Sequence, residues 1–401
     1  MVQRNKNIAK LQAGYLFPEI NRRKTEFLAK NPDAKIISLG IGNTTEPLQA
    51  TAVKALKDAS EAMGTAEGYS GYGDEQGMTA LREKIAEKFY NNRIPADEIF
   101  VSDGAKCDTG RLQMMFGNDA SIAVQDPSYP VYVDSAVIMG QTDAFNKDND
   151  QFNGIQYMPC TAENNFFPEL KAADVIYFCS PNNPTGAVAT KEQLTELVKF
   201  AKDNKSIIVF DAAYAEFIAD PELPKSIYEI DGADEVAIEV CSFSKPFGYT
   251  GVRLGWTVVP KALKFDDGSS VRDDWNRIMT TVFNGASNII QTATINMLND
   301  EGMKEMRELV AFYMENARLI KTALDSYGFT TYGGDNAPYI WVKTDKMDSW
   351  EAFSYILENA HIVTTPGAGF GPAGDGYVRF SAFGGRANIL EAIERMKELS
   401  L

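Results

Sequence analysis

Between about residues 97 and 260, short β-rich runs alternate with stretches whose apolar residues recur at helical spacing. The strand candidates are 99–102, 121–125, 174–180, 206–210, 237–244 and 255–259. Such alternation predicts an α/β unit built on a mainly parallel, helix-covered sheet. A helix is signalled after Thr190, where Thr190 and Gln193 fit a capping box and Leu194, Leu197, Val198 and Ala201 share one face.

Beyond about residue 290 the pattern changes to a long helix over 302–326, a strand at 339–342, a helix near 349–359, a strand at 377–380 and a last helix after Arg386. That sequence of elements predicts a smaller α+β unit. Residues 1 to 46 carry too little periodicity to stand alone and are expected to pack on it. The expected division is a large domain, 47–290, and a small domain formed by 1–46 and 291–401. With 401 residues, each unit can bury its own core.

Charge narrows the partners. A formal net charge of -16 with no basic stripe repels phosphate backbones and anionic lipid surfaces, so neither nucleic acid nor membrane is expected. No apolar run approaches the roughly 18 residues that span a bilayer, and the polar start 1–6 lacks the apolar stretch of a signal peptide, which points to the cytoplasm. Cys107, Cys160, Cys179 and Cys241 form no metal-like spacing and are expected to be buried, reduced thiols. The single histidine, His361, leaves no partners for a histidine triad or a multi-histidine zinc site, so no metal is expected and a general base must be some other residue.

The candidate chemistry sits at the ends of the expected strands. Ser242-Phe243-Ser244-Lys245 leaves a buried strand and is followed by Arg253. A lysine there can lose water, lower its pKa and attack an aldehyde, while the two hydroxyls and the guanidinium suit a phosphate. Asp211 follows the apolar run 207–210, with Tyr214 three residues on. A carboxylate so placed can keep a pyridinium nitrogen protonated, and a tyrosine can donate to a phenolic oxygen. The prolines and glycine of 180–186 fix a turn that presents the Asn183 amide. Ser102-Asp103-Gly104-Ala105-Lys106 runs from a strand through glycine into a helix, whose free N–H groups can cradle an anion. Tyr129, in the loop after the next strand, can stack on an aromatic ring. Taken singly, each element has an ordinary structural reading as a turn, a cap or a solvated charge. Their joint occurrence at strand C-termini, where open α/β sheets bind ligands, favours a single site. The glycine-rich run 367–372 superficially resembles a dinucleotide fingerprint but lacks the βαβ setting and reads as a loop. Arg379, on the strand after it, can grip a carboxylate through two parallel hydrogen bonds.

Together with Tyr69-Ser70-Gly71-Tyr72-Gly73, these segments resemble the fold-type-I pyridoxal-phosphate aminotransferases in order along most of the chain. Through residues 13–20, 40–48 and 101–108 the chain is most similar to the branch acting on LL-diaminopimelate. The resemblance implies a homodimer with shared active sites, using pyridoxal 5'-phosphate to interconvert LL-2,6-diaminopimelate and 2-oxoglutarate with tetrahydrodipicolinate and glutamate, in lysine and peptidoglycan precursor synthesis. It implies Lys245 as Schiff-base and proton-shuttling residue, Asp211 on the pyridine nitrogen, Tyr214 and Asn183 on the ring oxygen, and Tyr129 stacked on the ring. Ala105, Lys106, Ser242, Ser244 and Arg253 would surround the phosphate, with Tyr72 reaching it from the neighbouring subunit. Substrate contacts would come from Tyr15, Gly42, Lys106, Tyr129, Asn183, Asn284 and Arg379, with Glu75 of the second subunit near the distal ammonium. The chain departs from the branch at Asn43, where aspartate is usual, and at Phe247, where a smaller residue follows the lysine. An aminotransferase for another amino acid, aspartate or aromatic, or a β-lyase would use the same cofactor residues. A non-catalytic cofactor-binding regulator would need a DNA-binding domain, for which this acidic chain has neither spare length nor a basic helix.

Overall fold

The computed structural model describes residues 1–12 and 16–400, so Tyr15 lies outside the described residues. Two sheets organise the chain. The larger has seven strands in the order Ile99–Ser102, Gly255–Val258, Ala237–Ser242, Ile207–Asp211, Val175–Cys179, Ile122–Asp126 and Ile155–Pro159. All run parallel except Gly255–Val258, which is antiparallel to both neighbours. Apart from the edge strand Ile155–Pro159, every residue of these strands is buried. That explains their largely apolar character: a sheet covered on both faces has no solvent side to demand polar alternation.

Strand ends fall within two residues of the expected limits, and the expected 237–244 strand stops at Ser242. There the chain leaves the ladder because the Ser244 N–H bonds the Ser242 hydroxyl oxygen at 3.0 Å instead of a neighbouring strand. The edge strand Ile155–Pro159 was not foreseen, since Gln156 and the closing Pro159 interrupt its apolar run. Three cysteines are buried, but Cys107 is only half-buried on the short helix Ala105–Leu112, which corrects the expectation for that thiol.

The capping box forms as read. Thr190 Oγ1 accepts from the Gln193 N–H, Gln193 Oε1 accepts from the Thr190 N–H, and the helix Lys191–Asn204 buries Leu194, Leu197, Val198 and Ala201 against the sheet. Losing such a cap costs about 1 kcal/mol.

The smaller sheet is antiparallel, in the order Thr331–Gly333, Tyr339–Lys343, Tyr377–Ser381, Thr365–Pro366. The helix Asp300–Ser326, capped by Asn299, joins the two halves. Its Met303, Met306, Leu309, Val310 and Tyr313 lie in the core of the large sheet, whereas Ala317, Ile320 and Leu324 lie in that of the small one. The opening segment packs on the small sheet's side: Ile37–Ser38 pairs with Ile362–Val363, and Leu16 and Ile20 meet Phe353 and Leu357. Another helix, Asn288–Met297, runs across residue 290 and packs Ala293 on Ala55 and Ala59. The glycine-rich run forms two short 3-10 turns, Gly367–Phe370 and Pro372–Gly374.

Burial also shapes the response to pH. Asp126, at the end of its strand, is 2% exposed and its carboxyl accepts from the Ala373 N–H at 3.1 Å; burial pushes it up to about 7. Asp108 is pushed up to about 6 by the same cause. An acid whose folded pKa is raised keeps its proton in the folded chain while the unfolded chain has lost it. Its contribution is therefore full below the ordinary value of 3.8 and is lost as pH rises through about 6 to 7. The urea midpoint of the wild type should fall between pH 5 and pH 8, and Asp126→Asn should flatten that fall and be at least as stable at pH 8. An unchanged slope in the variant would refute the assignment.

Candidate active site

The parallel strands bring their C-terminal ends, Ser102, Asp126, Cys179, Asp211 and Ser242, to one edge of the large sheet. There a cavity of about 320 Å³ opens between the sheet and the Tyr339–Lys343 and Tyr377–Ser381 strands of the small one. Its wall includes Gly42, Ala105, Lys106, Tyr129, Asn183, Asp211, Tyr214, Ser242, Ser244, Lys245, Arg253 and Arg379, twelve of the expected residues on one surface.

Lys245 keeps part of its surface open to the cavity, and its Nζ donates to the Gly42 carbonyl. Burial lowers its pKa to about 8, helped by the Arg379 and Arg253 charges. The amine is therefore within reach of its neutral, nucleophilic form near physiological pH. Asp211 is 6% exposed, and its two oxygens accept from the Tyr132 hydroxyl at 2.6 Å and the Ala213 N–H at 3.0 Å. Burial pushes its pKa up, against which these donors favour the anion.

Arg379 is 2% exposed. Its Nη1 donates to Asn183 Oδ1, its Nη2 donates to the Gly40 carbonyl at 2.6 Å, and its Nε has no partner among the described residues. Its guanidinium lies 4.3 Å from the Tyr339 ring centroid and 4.8 Å from that of Phe370. A buried guanidinium with a free N–H, clamped between rings, is prepared for a carboxylate.

The phosphate-like corner is built from backbone. Gly104 has φ +122°, and a Cβ there would come within 2.6 Å of Arg253 Nη2. Glycine thus lets the guanidinium lie beside the N-terminus of the Ala105–Leu112 helix, while Arg253 Nη1 donates to Ser244 Oγ at 3.3 Å. Asn183 is presented by a turn in which Asn182 Oδ1 accepts from the Thr185 N–H and hydroxyl, and Gln125 Oε1 accepts from the Asn182 amide.

Three expected residues do not reach this cavity within one chain. Tyr72 is 94% exposed and Asn284 is exposed; Glu75 is half-buried near Gly285. The two segments pack together, since Asn288 Nδ2 donates to Ser70 Oγ and the Gly71 carbonyl. Asn43 stands exposed at the cavity's mouth. Phe247 does not touch the cavity: it is 1% exposed among Phe89, Phe243 and Tyr249, so this departure alters the packing behind the lysine turn, not the substrate wall. Sequence reasoning missed Phe17, Tyr132, Tyr339 and Phe370, all on the wall. Only Tyr132 carried any local signal, as a second tyrosine three residues after Tyr129.

Residues 34–396 match the family "Aminotransferase class I and II". The chain belongs to that family. It is 57% identical to the LL-diaminopimelate aminotransferase, chloroplastic, of Arabidopsis thaliana, over 99% of this chain and 87% of that one. It is 54% identical to the LL-diaminopimelate aminotransferase of Protochlamydia amoebophila (strain UWE25), over 100% and 98%. The solved structure of L,L-diaminopimelate aminotransferase from Chlamydomonas reinhardtii shares 61% identity at a TM-score of 0.95, covering 99% of this chain and 98% of that one. The fold is accordingly that of the fold-type-I aminotransferases, and this chain is an aminotransferase.

The family works with pyridoxal 5'-phosphate, and the donor set fits that group. A buried amine suits its aldehyde, a buried carboxylate its ring nitrogen, and a helix N-terminus with two serines and an arginine its phosphate.

The wall has little tolerance at Gly42, where a Cβ would overlap the Tyr339 hydroxyl, whereas a Cβ at Gly117 meets nothing within 4 Å. Gly42→Ala should lower transamination by about tenfold or more while Gly117→Ala leaves it unchanged. Equal activities in steady-state assays of the two variants would refute the close approach at residue 42.

Proposed function

We propose that this aminotransferase interconverts LL-2,6-diaminopimelate and 2-oxoglutarate with tetrahydrodipicolinate and glutamate, as a cytoplasmic homodimer. The observation that carries the reading is 61% identity at a TM-score of 0.95, over 99% of the chain, to an enzyme named for that substrate. A cavity walled by Lys106, Lys245, Arg253 and Arg379 around one carboxylate, Asp211, supports it, because both substrates carry two carboxylates.

In this reading a large unit, 47–290, and a small unit, 1–46 and 291–401, enclose the site. Bound pyridoxal phosphate supplies an aldehyde that condenses with amines and a ring that withdraws the electron pair left at the substrate's α-carbon. Ser242, Ser244, Arg253, Lys106 and the N–H of Ala105 hold the phosphate, with Tyr72 of the partner subunit. Asp211, whose anionic form Tyr132 and the Ala213 N–H favour against burial, holds a proton on the ring nitrogen. Tyr214 and Asn183 bond the ring oxygen, and Tyr129 covers the ring face.

Lys245 Nζ would take the proton from the substrate's α-carbon and return it two bonds away, at the cofactor's aldehyde carbon. Arg379 grips the α-carboxylate and so sets which face of the α-carbon meets Lys245. Tyr15 and Gly42, with Asn284 of the partner subunit, complete the substrate contacts. The far end of the substrate carries an ammonium and a carboxylate, met by Glu75 of the partner subunit and by Lys106.

Lys245→Ala should lower turnover by about 10²–10⁴-fold or more and abolish the cofactor's visible absorbance at the protein. Borohydride should fix the cofactor permanently on Lys245, while the rate at which the cofactor-free enzyme takes up the cofactor should rise with pH and level off above about 8, where the amine is neutral. Label on another lysine would refute the role. Glu75→Gln should lower kcat/KM for LL-diaminopimelate by about tenfold or more and leave that for glutamate nearly unchanged. Among LL-diaminopimelate, its meso isomer, aspartate, aromatic amino acids and glutamate, a wild type indifferent to LL-diaminopimelate would refute the substrate.

A further inference from the structure

A second tyrosine stands against the Tyr214 hydroxyl. Tyr339, the first residue of the Tyr339–Lys343 strand, is 1% exposed, and its Oη lies 2.6 Å from Tyr214 Oη. The rings meet edge to face, 5.2 Å between centroids at 67°. Three further contacts fix the Tyr339 ring: the Arg379 guanidinium at 4.3 Å from its centroid, Phe383 edge-on at 6.1 Å, and the backbone of Gly42, which comes so close to the hydroxyl that only glycine fits. The side chain has no room to swing away, so its hydroxyl stays aimed at Tyr214.

Each hydroxyl has one proton to give. If Tyr214 gives its proton to the cofactor's ring oxygen, the hydrogen bond between the two tyrosines must run from Tyr339 to Tyr214. A hydroxyl that accepts a hydrogen bond becomes a stronger donor of its own. Burial pushes the pKa of both tyrosines up, so both keep their protons over the working pH range. The titratable and charged groups facing the pair are Arg379, Cys179 and Tyr129, with Lys245 beside Gly42.

We propose that Tyr339 is a positioning residue of the transamination reaction, which donates its hydroxyl proton to Tyr214 and thereby strengthens Tyr214 as the donor to the cofactor's ring oxygen. This rests on the reading of Tyr214 as that oxygen's partner.

A donor favours the anionic form of the oxygen it bonds, so weakening the donor lets the bound cofactor keep its proton to higher pH. The test is the pH midpoint of the visible absorbance of the holoenzyme, in the wild type, Tyr214→Phe, Tyr339→Phe and the double variant. Tyr214→Phe should raise the midpoint, and Tyr339→Phe should raise it by a smaller amount, about 0.5 units or threefold in proton affinity. In the double variant Tyr339→Phe should add nothing. Tyr339→Leu, which also removes the ring, should raise the midpoint at least as much as Tyr339→Phe. A midpoint unmoved by Tyr339→Phe, with Tyr214→Phe still shifted, overturns the proposal and leaves the Tyr214 reading standing. A Tyr339→Phe shift of the same size with and without Tyr214 overturns it as well, because the effect would then bypass Tyr214. A midpoint unmoved by Tyr214→Phe overturns the Tyr214 reading itself, and the proposal with it.

Discussion

The site depends on keeping one amine largely out of water without giving it a carboxylate. Lys245 Nζ donates to a neutral carbonyl, that of Gly42, and the charges that act on it are two guanidinium groups. A carboxylate beside it would stabilise the ammonium form and raise its pKa; desolvation and like charge do the reverse. The chain has sixteen more acidic than basic residues, yet the cavity concentrates lysines and arginines around the single carboxylate Asp211. The same concentration of positive charge that lowers the amine's pKa attracts anionic substrates, so activating the nucleophile and recruiting its partners share one cause.

Holding four cations in a small volume needs support from outside it, and the fold provides that support through distant segments. Gly40 accepts from Arg379 Nη2 and from the Thr365 hydroxyl; Thr44 Oγ1 meets Thr250 Oγ1 at 3.1 Å; and Tyr313 Oη accepts from the N–H groups of Thr45 and Glu46, each at 2.9 Å. Residues 40–46 thus connect the lysine turn, the small sheet and the long helix. The helix Asp300–Ser326 contributes to the cores of both sheets, so a shift of one sheet against the other would have to open packed apolar surface at both.

How much of this was legible in the sequence follows from how each contact is made. Residues whose chemistry rests on local backbone, a strand ending in Asp211, a glycine opening the helix at Ala105, a proline-fixed turn presenting Asn183, could be read from adjacent letters. The seven-stranded sheet was readable for the same reason, apart from an edge strand broken by Gln156 and Pro159. Tyr132 and Tyr339 could not be found this way. Each acts by meeting a residue 79 or 125 positions away, and a tyrosine that begins a strand looks like any other core aromatic until the fold supplies its partner. Phe247 shows the converse: it stands two positions from Lys245 in sequence, yet its side chain turns into the core and away from the cavity wall.

Glu75 and Asn284 separate the chemistry at the cofactor's ring from the choice of substrate. Everything proposed to touch the ring nitrogen, the ring oxygen and the aldehyde comes from one chain, from strand ends whose geometry the large sheet sets. The residue proposed to select the distal ammonium, Glu75, lies on a segment that packs with residues 284–288, away from the cavity of its own chain. On the proposed assignments, reaction type is built into the single chain, while preference for a long, doubly charged amino acid rests on a second copy. That division lets a fold with a fixed chemical centre change its substrate through residues on an outer face, where replacement costs little in the core.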